Sequence, residues 1–82
     1  NVVFEENVIE SPMYSGIQIT GKSAQKILFR NNVISNPGED AIAITAKAQG
    51  VGEFIGNVIK GLPEGGKEIA NAAGETYQVI LK

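Results

Sequence analysis

A chain of 82 residues with no cysteine and no histidine can hold one small domain, without disulfides, thiolate metal sites or histidine-based acid–base chemistry. Its net charge of −2 comes from interspersed acids and bases, so no basic stripe is offered to nucleic acid or to an anionic membrane. No apolar run approaches the roughly 20 residues that a membrane span requires.

Taken in chain order, Val2 and Phe4 alternate with outward positions and predict a strand with one buried face. Asn7 follows, and then a short strand around Val8-Ile9. Ser11-Pro12-Met13-Tyr14-Ser15 has the composition of a turn, Ile17 and Ile19 mark another strand, and Gly21-Lys22-Ser23 turns the chain again. The series then recurs. Phe4, Phe29 and Phe54 are spaced by 29 − 4 = 25 and 54 − 29 = 25, and the Asn7, Val8 and Ile9 positions repeat with the same step. Residues 27–51 match 2–26 at 9 of 25 positions, and 52–76 match 27–51 at 7, where chance gives roughly one or two.

A repeat of 25 residues built from alternating strands predicts an all-β parallel solenoid, a right-handed β-helix, with coils 2–26, 27–51 and 52–76 and a partial fourth at 77–82. The register is expected to run unbroken, with Ile19, Ile44 and Ile69 in one column and Tyr77 restarting the first strand above position 52. Asn7, Asn32 and Asn57 are expected to stack one rung apart and to hold a tight bend through side-chain hydrogen bonds and tolerance of left-handed geometry. Glu5 should pair with Arg30, and Lys22 should stack on Lys47. The column Val8, Val33, Val58 fits either the inside of a bend or an outer apolar strip. A rival architecture is the leucine-rich repeat, whose L-x-L-x-x-N-x-L core is matched by Ile27-x-Phe29-x-x-Asn32-x-Ile34. That fold needs helical spacing on the return segment, where this chain has the β alternation of residues 41–45. The repeat weakens after Pro63-Glu64-Gly65-Gly66, as terminal coils of solenoids do, so the chain reads as the C-terminal part of a longer protein.

Function in a solenoid sits on turns and outward positions. The richest turn is Gly38-Glu39-Asp40, with Glu64 in the same coil position one step later, since 64 − 39 = 25. Such acids could serve as a proton donor and a base in glycoside hydrolysis, bind a cation such as calcium, or form a solvated acidic turn. Tyr14 offers a ring that can stack on a sugar.

Gly38-Glu39-Asp40-Ala41-Ile42-Ala43-Ile44 resembles the G-D-D-x-I-A-I segment of polygalacturonase-type glycoside hydrolases, which are right-handed parallel β-helices. The Phe-x-x-Asn-Val-Ile coils are similar more broadly to pectate-lyase-like polysaccharide lyases and hydrolases. The resemblance implies that Glu39 and Asp40 are the catalytic acids and that the protein is secreted; Tyr14 by its ring and Glu64 by its repeat position are expected to contact a polysaccharide substrate. The chain departs from the hydrolase pattern at Tyr14-Ser15-Gly16, where that family has N-T-D, and at Glu64-Gly65-Gly66, where it has G-H-G. An extracellular carbohydrate-active hydrolase or lyase segment is therefore the leading expectation. It needs no resident cofactor, leaves calcium open, and has the remaining coils of its parent as a second partner. A non-catalytic solenoid, used as a stalk, adhesin or glycan-binding surface, is the alternative.

Overall fold

The structure is a computed structural model that describes residues 2–82. Among the described residues ten strands lie in three parallel sheets, and each turn of the chain contributes one strand to each sheet. The first sheet contains β1 (Val2–Glu5), β4 (Ile27–Arg30), β7 (Gly50–Ile55) and β10 (Tyr77–Leu81). The second contains β2 (Val8–Glu10), β5 (Val33–Ser35) and β8 (Val58–Lys60), and the third β3 (Ile17–Ile19), β6 (Ile42–Ile44) and β9 (Ile69–Asn71). Every pairing is parallel, as a β-solenoid of about three coils requires. The return segments are strands, which removes the leucine-rich-repeat reading; among the described residues the helical content is one 3₁₀ turn, Gly74–Thr76.

Side-chain alternation on each strand sends one set of residues into a common core. Ile34, Ile42 and Ile44 from the middle coil are almost fully buried, with Phe29, Phe54 and Tyr77 beside them. Phe29 and Phe54 stack with ring centroids 4.6 Å apart and planes 4° from parallel, while Phe4 tilts against Phe29 at 5.9 Å. Both distances fall in the range where aromatic pairs contribute beyond simple burial.

The asparagine column forms the expected ladder. Asn7 Nδ2 donates to Asn32 Oδ1 at 3.0 Å, and Asn32 Nδ2 donates to Asn57 Oδ1 at 2.9 Å. Each of these acceptors also takes a backbone N–H, from Asn7 at 3.1 Å and Asn32 at 3.0 Å. The second amide hydrogen of Asn32 reaches the Phe4 carbonyl at 3.1 Å. Asn32, 1% exposed, is therefore a buried amide with its hydrogen-bonding capacity in use. The left-handed residues are its neighbours: Glu6, Asn31 and Gly56 have φ of 55°, 54° and 64°. Ser11, Asn36 and Gly61, with φ of 49°, 52° and 67°, form a second such column at the next corner. Both corners thus bend through αL residues, which cost little for Gly and Asn and more for Glu and Ser.

The register is not unbroken. The first two coils step by 25 residues at β1–β4, β2–β5 and β3–β6. In the third coil Ile69 lies on Ile42, so the step there is 69 − 42 = 27, and the residue over Ile44 is Asn71. The same step of 27 carries into β10, where Tyr77 pairs with Gly50 and Val79 with Gly52. The extra two residues lie in the loop between Lys60 and Ile69, where a turn at Glu64-Gly65 is closed by the Gly66 N–H on the Pro63 carbonyl at 2.9 Å. Lys22 likewise bridges Gln49 rather than stacking on Lys47, because the corner after β3 is shaped differently in the two coils.

The shifted register has a packing consequence. Position 52 is glycine where Ile27 stands one rung below, and the Tyr77 ring occupies the room. A Cβ on Gly52 would stand 2.6 Å from Tyr77 Oη. That hydroxyl is buried and has no hydrogen-bond partner among the described residues, and burial holds the phenol above its ordinary pKa. On the outward side of the same sheet Glu53 lies beneath the cations of Lys26 and Lys82, at 3.1 and 3.3 Å. The Lys26 hydrogen bond keeps the Glu53 carboxyl below its ordinary value of 4.5, against the desolvation of its site and with help from Lys82. Glu5 and Arg30 pair as expected, at 3.0 Å.

Candidate acidic turn on the outer surface

The turn between β5 and β6 is fixed by backbone bonds to the coil below. The Gly38 N–H donates to the Pro12 carbonyl at 3.0 Å, and the Glu39 N–H donates to the Tyr14 carbonyl at 3.1 Å. Gly38 passes so close to the Met13 backbone that a Cβ there has no room. Pro37 is buried and starts the turn with its φ preset. Tyr14 and Glu39 consequently occupy one column, one rung apart, and both side chains are exposed.

Asp40 is half-buried, and its Oδ1 accepts the Lys67 N–H at 2.9 Å. It therefore anchors the widened loop of the third coil by its carboxylate. With the step of 27, Gly66 and Lys67 are the residues that lie over Glu39 and Asp40. A Cβ on Gly66 would stand 2.9 Å from the Glu39 carbonyl oxygen, which accounts for glycine there. Glu64 does not share the Glu39 column, as the sequence step of 25 suggests; it stands on the extra turn above it.

Two hollows meet at this turn. One, of about 370 Å³, is lined by Tyr14, Ser15, Gln18, Glu39, Asp40 and Ala43. The other, of about 240 Å³, is lined by Gly38, Glu39 and Asp40 with residues 63–66. Glu39 and Asp40 border both, so they stand on the ridge between a tyrosine side and a Glu64 side. Among the described residues no three acidic side chains converge in a manner that could hold a metal ion. Gln18 is the residue that sequence reasoning passed over; its outward place between Ile17 and Ile19 was the available signal.

Comparison with family models, curated proteins and solved structures gives no match. The chemistry of the turn therefore has to be argued from its own residues. The hollow beside Tyr14 combines an exposed ring, a carboxamide and two carboxylates, a set able to stack on a sugar face and accept hydrogen bonds from its hydroxyls.

Proposed function

We propose that the chain is a segment of an extracellular, carbohydrate-active β-helix protein that holds a polysaccharide across the acidic turn. The observation that carries this reading is the hollow where Tyr14, Gln18, Glu39 and Asp40 meet on adjacent rungs. Tyr14 serves as the platform for one sugar ring, and Gln18 and Glu39 take hydroxyl hydrogen bonds. The second hollow lets the glycan continue past the ridge toward Glu64.

The bond from the Lys67 N–H to Asp40 favours binding over turnover at this turn, because it commits one carboxylate oxygen to the loop. Hydrolysis is the second reading, supported by the adjacency of Glu39 and Asp40 and by the resemblance of their segment to polygalacturonase-type hydrolases. The test is calorimetric titration with plant, algal and bacterial oligosaccharides, paired with release of reducing ends from the parent polymers. Tyr14→Ala and Glu39→Gln are expected to weaken binding by about tenfold each without altering the melting temperature. Asp40→Asn keeps an acceptor for the Lys67 N–H, so it separates the loop anchor from the charge. A loss of turnover in Asp40→Asn by about a hundredfold marks hydrolysis, and unchanged binding in all three variants removes the glycan reading.

A further inference from the structure

We infer that the outer face of the β2–β5–β8 sheet is a self-association surface, which pairs two copies of this chain about a twofold axis running along the strands. Ile9, Ile34 and Ile59 point into the core, so the residues flanking them point out. Val8, Val33 and Val58 lie in one register column and form an apolar strip of two rung spacings, about 10 Å. Val8 is 66% and Val58 45% exposed. The core does not need these three valines, and strand propensity would be met as well by threonine.

The charges beside the strip select the partner and its orientation. Glu10, Ser35 and Lys60 form the neighbouring outward column, with the acid at one end and the base at the other. The ion pairs among the described residues involve neither Glu10 nor Lys60. When a second copy is turned about an axis along β5, Val33 meets Val33, and Val8 meets Val58 of the other copy. The same rotation brings Glu10 over Lys60 of the other copy, and Lys60 over its Glu10. An axis along the solenoid instead carries the charged columns to opposite margins and leaves all four charges alone. A self-complementary patch of this kind is what a twofold interface requires. The face comprises three strands of three residues, far from the roughly 800 Å² per partner of a stable dimer, so the pairing is weak and reversible.

Sedimentation velocity and concentration-dependent amide shifts of the chain test it, with the variants and their mixture compared to the parent at one salt concentration. Glu10→Lys alone and Lys60→Glu alone each make the charged column uniform in sign, and each should weaken association by about tenfold or more. An equimolar mixture of the two variants should restore it, because the all-basic column of one then faces the all-acidic column of the other. Val33→Lys, on the outer face of a half-buried position, sets two cations on the axis and should abolish the dimer. Circular dichroism checks that each variant remains folded; the exposed Glu10 and Lys60 changes keep the test open if Val33→Lys does not fold. Association through the open rungs at either end of the solenoid would leave all preparations alike. That result, or a mixture no stronger than its components, overturns the proposal.

Discussion

The first two coils and the third obey different rules. Coils one and two superimpose residue for residue at all three strands, with the asparagine ladder and the phenylalanine column as their common frame. The third coil keeps that frame at β7 and β8 and then departs from it, gaining two residues before β9. Where a segment carries a ladder whose members need identical partners one rung away, its length is held. Where it carries a surface loop, added length costs little, since closure entropy grows only slowly with loop size. The candidate glycan hollows lie at the boundary between these two regimes, with Asp40 of the regular coil tied to the widened one.

The largest effect should come from breaking the regular part. Asn32→Ala removes an amide that accepts two bonds from Asn7 and donates to the Phe4 carbonyl and to Asn57 Oδ1, and it leaves the Asn7 N–H without its acceptor. With about 1 kcal/mol for each lost bond and more for each group stranded, the cost is about 3 kcal/mol or more. Asn57→Ala removes three bonds and strands donors of the buried Asn32, so it should cost nearly as much, as urea melts of both variants would show. Equal, small losses would mean that the ladder follows the fold rather than holding it.

Gly52→Ala probes how the shifted register is packed. Its Cβ meets Tyr77 Oη at 2.6 Å, with ring atoms of Tyr77 and Phe54 at 3.1 Å, so overpacking should cost about 2 kcal/mol. Tyr77→Phe removes the nearest atom and also relieves a buried hydroxyl that lacks a partner among the described residues. It should stabilise the parent chain by about 1 kcal/mol and recover part of the Gly52→Ala loss. A purely additive double variant would place the Tyr77 ring away from Gly52.

Much of this was legible in the residues, and what was hidden has a physical reason. The Asn7 column shows itself because each member must bond to an identical neighbour. The αL columns do not, since Glu6, Asn31 and Gly56 have nothing in common except a permitted φ. The register shift was masked by strand periodicity. Side chains alternate with a period of two, so a shift of two residues moves no side chain to the wrong face. Ile69 stands 25 residues after Ile44 and yet lies on Ile42; both positions face the core, and the sequence pattern is the same in either case. Glu64 was drawn into the Glu39 column by the same coincidence. The outward direction of the valine column could not be read either, because valine suits both faces of a strand until its exposure is known.

Acid should separate the first sheet from the rest. The folded Glu53 carboxyl titrates below 4.5 because of Lys26 and Lys82, so its contribution is fully present above that value and is lost as pH falls through the lower folded pKa. Stability of the chain should therefore fall with acidification below pH 4.5, and Glu53→Gln should flatten that part of the profile. Denaturant midpoints measured across the acid range in both proteins check the slope. An identical slope would assign the acid sensitivity to other carboxylates.

The smallest effect is expected from making the third coil regular. Removal of Glu64 and Gly65 leaves the segment from Gly61 to Ile69 as long as that from Asn36 to Ile42, and the third-coil step returns from 27 to 25. Neither residue belongs to a strand, both are exposed, and a Cβ on Gly65 would meet nothing within 4 Å. The Lys67 N–H can still reach Asp40, so the anchor survives. Stability should change by no more than about 1 kcal/mol, since the loop is short before and after. Affinity for the proposed glycan is then the informative quantity. Retained binding assigns recognition to the Tyr14 side of the ridge, whereas a loss at unchanged stability assigns part of it to Glu64. A loss of several kcal/mol would instead show that the wide turn is needed to seat β9 and β10, and that the third coil is held by its length as firmly as the first two.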